Sequence, residues 1–244
     1  MINFLVFYQT RQKKNEINIT SFSLKKKSDI YLMGIKKIKN YSRLKINVKN
    51  KIFYFDTKYS TNNFINNFLA CISTIFILNL NLNRIRQKFI SFKIPQGRGD
   101  ISIIKKFNRK FKFIDESYNA NLSSMTSAIN NMDYHNNNQK HRKLVFLGDM
   151  LELGKKSKKF HRDLSVIINR SNIDKVFVCG KHIKETFNYL STDKKGKMFK
   201  NTDEAHDYFR KILHNNDLLM VKGSNATALN KFSKNIKRGH ISAL

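Results

Sequence analysis

The segment KFIDESYNANLSSM, Lys112 to Met125, crowds carboxyl, hydroxyl, phenol and amide groups into one bend between an apolar run and a helical one. Three later turns are built alike: GDMLELG from Gly148 to Gly154, GKH from Gly180 to His182, and KGSNA from Lys222 to Ala226. Together they offer acids at Asp115, Asp149 and Glu152, a cation at Lys222, amides at Asn119 and Asn121, and hydroxyls at Ser117, Tyr118 and Ser224. Such a mixture suits an anionic ligand and its metal, and the glycines let the backbone approach closely. Helix N-termini follow these turns, and their free N–H groups favour phosphate or carboxylate. Each residue also has a structural reading: Asn121, Ser123 or Ser124 as a helix N-cap, Asp149 as a loop acid, Lys222 as a solvated strand-end cation. Their joint placement, rather than any one of them, points to a site.

Other chemistries leave no trace. None of the nine glycines opens a GxxxxGK[ST] phosphate loop, and no GxGxxG follows a strand. The histidines, His135 and His141 beside a loop and His206, His214 and His240 on exposed-looking positions, have no HExxH or paired spacing, and no Ser-His-Asp or GxSxG arrangement occurs. No metal site is expected.

The elements that must position these turns follow from the apolar pattern. Strands are expected at FKFI (111 to 114), KLVFLG (143 to 148), KVFVCG (175 to 180) and DLLMVKG (217 to 223). Helices are expected near 123 to 133, 157 to 170, 181 to 190, 203 to 214 and 226 to 236. This alternation predicts an α/β fold, Rossmann-like, with a mostly parallel sheet and helices on both faces. All carboxyl ends of parallel strands share one edge, where ligands bind. Before it, DIYLMGI, LKINV and KIFYF read as strands, the last two as a hairpin turning at Lys49, Asn50 and Lys51. The helical spacing of the apolar residues Phe64, Phe68, Cys71, Ile75 and Leu78 predicts a helix, and a short helix through Ile85, Phe89 and Ile90 follows. Pro95, Gly97 and Gly99 mark the boundary between residues 1–95 and 96–244.

With 244 residues and 41% hydrophobic content the chain can bury a real core. Two cysteines in apolar runs, Cys71 and Cys179, fit a reducing cytoplasm. The start, MINFLVFYQTRQKKNE, reverses the charge order of a secretory signal, and FLACISTIFIL, Phe68 to Leu78, is shorter than the roughly 20 residues of a membrane span. The net charge of +30 raises nucleic-acid binding, but the basic residues are spread along a chain equally rich in Asn, Ile and Phe, as A/T-rich codon drift would produce. KKFNRKFKF, Lys105 to Phe113, reads as a strand pair with Phe inward and Lys outward.

Taken together, IDESYNAN with SSMTSAI behind it, LVFLGDMLELG, the S-x-x-x-H of Ser157 to His161, and LLMVKGS resemble the carboxyl-terminal part of the Mur ligases of peptidoglycan synthesis, in the branch that handles D-alanyl-D-alanine. IPQGRG, Ile94 to Gly99, is similar to that family's junction between central ATPase domain and final domain, and TNNFINNFLA, Thr61 to Ala70, to the helix that follows the central domain's last strands. The resemblance runs from about Asp29 and implies that residues 1–95 are the tail of a central ATPase domain. It implies an ATP-dependent amide ligase, joining D-alanyl-D-alanine to UDP-N-acetylmuramoyl-tripeptide through an acyl phosphate. It implies a truncated or split chain, with the phosphate loop and the main Mg2+ ligands on an amino-terminal half that a split gene would encode separately.

By that resemblance Arg98 reaches the phosphates, Asp115 the ribose, Asn63 and Asn66 the adenine region, and Tyr118, Asn119 and Asn121 line the nucleotide cleft. Asp149 and Lys222 are the implied catalytic pair, with Glu152 and Ser224 at the dipeptide. A cytoplasmic monomer without nucleic-acid or membrane partners is implied. The pattern also departs: Asn62 replaces a His, and Asn225, Leu229 and Asn230 stand where the family reads Arg, Met and Glu. Losing the guanidinium fork and a carboxylate counts against activity, and without the amino-terminal half the chain is expected to be inactive by itself. An inactive relic, or a basic protein that binds RNA or acidic surfaces, are the alternatives.

Overall fold

The structure, a computed structural model, describes residues 3–8, 17–25, 27–134, 142–238 and 240–243. The basic run at 11–16 and the loop residues His135 and His141 lie outside them. The chain divides into two compact units, Met1–Lys93 and Ile94–Leu244.

In the first unit β1 (Asn3–Tyr8), β2 (Ile17–Ser23), β3 (Ile30–Ile38), β4 (Tyr41–Val48) and β5 (Lys51–Thr57) form a sheet in that order. Its pairs are antiparallel except β2 with β3. The β4–β5 hairpin turns at Lys49 and Asn50 (φ 45° and 67°). This left-handed pair suits the right-handed twist of the strands. Helices α1 (Asn62–Ile77) and α2 (Leu82–Ile85) follow. The buried stripe of α1 is Ile65, Phe68, Leu69 and Ile72, packed with Leu44, Ile46 and Phe55. Of the five residues whose spacing predicts the helix, Phe68 is buried, while Cys71 and Leu78 are exposed. From Phe68 on the helix carries only Ser73 and Thr74 as polar residues, so more than one stripe fits its sequence there, and packing against the sheet selects one.

The second unit runs β6 (Asp100–Lys106), β7 (Arg109–Glu116), α3 (Leu122–Tyr134), β8 (Lys143–Leu147), α4 (Ser157–Asn169), β9 (Lys175–Cys179), α5 (Lys184–Asn188), β10 (Lys195–Phe199), α6 (Thr202–Ile212), β11 (Leu218–Lys222), α7 (Leu229–Lys237) and β12 (His240–Ala243). The strand order is β10-β9-β8-β11-β7-β6-β12. Strands β10 through β7 in that order are mutually parallel, and β6 is antiparallel to both its neighbours. β6 and β7 form the expected strand pair, with Phe111 and Phe113 buried and Arg109 and Lys110 exposed. Strands β10 and β12 were not expected; β10 (KGKMF) is a bulged edge strand with only two apolar residues, too weak a pattern to read.

Two apolar layers sandwich the sheet. Met125, Ile129, Leu164 and Ile168 of α3 and α4, with Ile183 before α5, pack on Val145, Val176 and Met220. Ala205, Phe209, Phe232 and Ile236 of α6 and α7 pack on Phe113, Phe146 and Leu219. The chain therefore leaves β7 and β8 toward one face and β11, which lies between them, toward the other. Such a reversal opens a crevice at the carboxyl end of β11.

Candidate functional site

The turn after β7 is held against the loop that enters β6. Gly99 donates its N–H to the Asp115 carbonyl at 2.7 Å, and Tyr118 donates to the Gly97 carbonyl at 3.1 Å. Both glycines have positive φ, and a Cβ on Gly97 would lie 3.0 Å from that of Tyr118. Only glycine fits this approach without strain. Arg98 is thereby placed with its guanidinium carbon 4.2 Å from the centre of the Tyr118 ring. Tyr118 is 48% exposed and Arg98 is exposed, so an aromatic face and a cation stand together at the crevice.

Asp115 is buried beneath this stack. Its Oδ1 accepts from the Ser117 N–H at 3.2 Å and hydroxyl at 2.6 Å, and its Oδ2 lies 2.7 Å from Lys237 Nζ. Asn119 and Asn121 are exposed. Asn121 is the N-cap of α3: its Oδ1 accepts from the Ser124 N–H at 2.8 Å, while Ser124 Oγ accepts from the Asn121 N–H at 3.1 Å. The structural reading of that asparagine is thus realised.

After β8, the Asp149 carboxylate turns inward. It accepts the N–H groups of Lys181 at 3.0 Å, His182 at 2.9 Å and Ile183 at 2.7 Å. A Cβ on Gly180 would lie 2.4 Å from Asp149 Oδ1, so a glycine is needed there. His161 supports the same loop from below. It is fully buried, accepts the Met150 N–H at Nε2 (3.1 Å), and has Nδ1 2.8 Å from the Ser157 carbonyl. Those partners place the proton on Nδ1, and burial pushes the imidazole pKa below its ordinary value. Glu152 is exposed at φ 63°, a left-handed conformation that costs a non-glycine residue.

After β11, Lys222 is buried to 1% exposure, yet its Nζ finds Glu116 Oε2 at 3.1 Å and the Asn119 carbonyl at 3.0 Å. It is therefore a paired interior cation rather than a solvated one. Ser224 is tied twice to the turn after β8: its N–H donates to the Asp149 carbonyl and its hydroxyl accepts from the Leu151 N–H, both at 3.1 Å. Leu229 and Thr227 cover Gly148 and Gly223 so closely that a Cβ on Gly148 would lie 2.1 Å from Leu229 Cδ1. Asn225 and Asn230, two of the departures, hydrogen-bond to each other at 2.8 Å.

Arg98, Asp115, Tyr118, Asn119, Lys222, Ser224 and the backbone of Asp149 thus form one connected cluster in the second unit. Asn63, exposed, and Asn66, half-buried, lie on α1 of the first unit. Sequence reading missed Lys237, Asp100, Glu116 and the role of His161. Only His161 left a signal, its spacing from Ser157; Lys237 lies far along the chain from the aspartates it meets.

A family model described as Mur ligase, glutamate ligase domain, matches residues 101–225, just over half of the chain. The UDP-N-acetylmuramoyl-tripeptide--D-alanyl-D-alanine ligase of Buchnera aphidicola subsp. Baizongia pistaciae is 32% identical over 226 residues, 91% of this chain and 47% of that relative. The ligase of the same name from Rickettsia prowazekii is 26% identical over 214 residues, 88% of this chain and 46% of its own length. The crystal structure of MurF ligase from Thermotoga maritima in complex with ADP superposes with a TM-score of 0.69 at 18% identity, covering 89% of this chain and 48% of that one. The chain spans about half the length of the curated relatives it matches.

Proposed function

The chain belongs to the Mur ligase family, and from that membership we propose that it supplies the final domain of an ATP-dependent amide ligase adding D-alanyl-D-alanine to UDP-N-acetylmuramoyl-tripeptide. The observation that carries this reading is the exposed Arg98–Tyr118 stack, set beside buried Lys222 at the sheet's switch point. An aromatic face beside a guanidinium matches a nucleotide's base and phosphates.

In the proposed reaction the tripeptide carboxylate attacks the γ-phosphorus of ATP and ADP leaves. The dipeptide amine then attacks the acyl phosphate, and inorganic phosphate departs. Such transfer depends on positioned cations and donors. Arg98 would meet the nucleotide phosphates, and Lys222 would fix the turn from Glu116 to Asn119 that faces them. Asn63 and Asn66 remain proposed for the adenine region and Glu152 and Ser224 for the dipeptide. With its carboxylate taken up by three backbone N–H groups, Asp149 enters as the holder of the loop after β8. The family's Mg2+ finds no fit here: among the described residues no three His, Cys, Asp or Glu side chains gather to hold a metal. We assign its ligands to the part of the relatives that this chain does not span. Residues 1–95 are proposed as the tail of the central domain. Among the described residues no helix is long and apolar enough to cross a membrane.

The test combines the full chain with a separately produced amino-terminal half of a Mur ligase relative, ATP, Mg2+, UDP-N-acetylmuramoyl-tripeptide and D-alanyl-D-alanine. Phosphate release that requires both peptides, above the sum of the two proteins alone, is expected; none above that sum rejects an active pairing.

A further inference from the structure

Asp100 and Asp115 stand directly opposite each other on β6 and β7. Like charges so placed repel. Lys237, in the last turn of α7, lies between them, with Nζ bonded to Asp100 Oδ2 and 2.7 Å from Asp115 Oδ2. Burial alone would lower the pKa of this lysine, but the bonds to the two carboxylates outweigh it and raise it. The second oxygen of each aspartate continues the network: Asp100 Oδ1 accepts the Gly97 N–H at 3.3 Å, and Asp115 Oδ1 accepts the Ser117 N–H at 3.2 Å. Gly97 and Ser117 adjoin Arg98 and Tyr118. One ammonium group therefore sets the spacing of the two backbone arms that carry the stacked pair.

We propose that Lys237 is a positioning residue for the nucleotide, holding Arg98 and Tyr118 in their stacked geometry through Asp100 and Asp115. The idea rests on the reading that this stack receives the nucleotide. It also gives α7 two duties. Leu229 at its start packs beneath the glycines of the β8 and β11 turns, and Lys237 at its end fixes the arms of the β6 and β7 turns.

Removing the lysine alone would leave two facing carboxylates, so the informative comparison is Asp100→Asn against the double variant Asp100→Asn with Lys237→Met. Asp100→Asn keeps an acceptor for Gly97 but sets an amide nitrogen against the Lys237 ammonium while leaving its bond to Asp115, so it should weaken ADP binding by about threefold. In the double variant, amide exchange at Gly99 and Tyr118 should rise and ADP affinity should fall, each by about tenfold, the worth of one charge-assisted hydrogen bond. Exchange in β8 and β9 should not change. Lys237→Arg should restore affinity to within about threefold, since a guanidinium can also bridge two carboxylates. Unchanged exchange in the double variant overturns the proposal, and so does faster exchange with unchanged ADP affinity, which would make the bridge merely structural. If the parent chain binds no ADP, the nucleotide reading fails and this proposal falls with it; that outcome shows in the parent, before any variant is compared.

Discussion

Replacing Asp149 by alanine removes the acceptor for three backbone N–H groups at once. Asp149 is 7% exposed, and the partners of its carboxylate at 181 to 183 lead directly into α5. A hydrogen bond to a charged group contributes roughly 1.5 to 3 kcal/mol, and an orphaned buried donor costs about 1 to 3 kcal/mol. The three share one acceptor and the loop can partly rehydrate, so simple addition overshoots. A loss of about 3 to 5 kcal/mol is expected, in line with breaking a buried charged network. For a domain of this size each kcal/mol moves Tm by about 2 to 4 °C, which places the drop near 6 to 20 °C. Asp149→Asn keeps one carbonyl oxygen for His182 and Ile183 but sets an amide against Lys181 N–H; about half the loss is expected. Calorimetry of the full chain, with amide exchange at Lys181, His182 and Ile183, measures both. A drop below about 1 kcal/mol in Asp149→Ala, with those amides still protected, would refute the inward-facing role and return this carboxylate to the crevice.

His161 titrates below its ordinary pKa because it is buried. The unfolded chain therefore takes up the proton first, so this contribution is complete above about pH 6.5 and declines as pH falls below it. A urea midpoint series from pH 7.5 to 5 should show that decline, and His161→Leu should flatten it. Ala228 sits at φ 60° between two helical segments, and Ala228→Gly should stabilise the fold by about 0.5 to 1 kcal/mol, read as a higher denaturation midpoint. Lys222→Met leaves Glu116 and the Asn119 carbonyl without their cation; it should lower stability by about 1 to 3 kcal/mol and weaken ADP binding, followed by calorimetry and titration.

The parallel sheet of the second unit was legible because its strands are short apolar runs closed by glycine or polar turns. KLVFLG, KVFVCG and DLLMVKG became β8, β9 and β11 nearly residue for residue. The edge defeated the same logic: β10 carries two lysines in five residues. The site was legible as a set of residue types at strand ends, but the direction of each side chain was not. Asp149 reads the same whether it faces a ligand or caps three amides, and Lys222 reads as solvated until Glu116 is placed against it. Lys237 was invisible because the ion pairs that give it meaning join α7 to β6 and β7. The stripe of α1 shows the remaining limit: where apolar residues circle a helix, periodicity does not choose the buried side.

The central claim, that the turns after β7 and β11 and the loop entering β6 receive a nucleotide, is tested most directly by titrating the 15N-labelled chain with ADP and following its amide resonances. Saturable shifts concentrated at Gly97 to Gly99, Ser117 to Asn121 and Lys222 to Ser224, strongly reduced in Arg98→Ala, are expected. Shifts absent there at millimolar ADP, or gathered instead on the lysines at 155, 156, 158 and 159 and removed by salt, would contradict it and favour a basic surface without a nucleotide site.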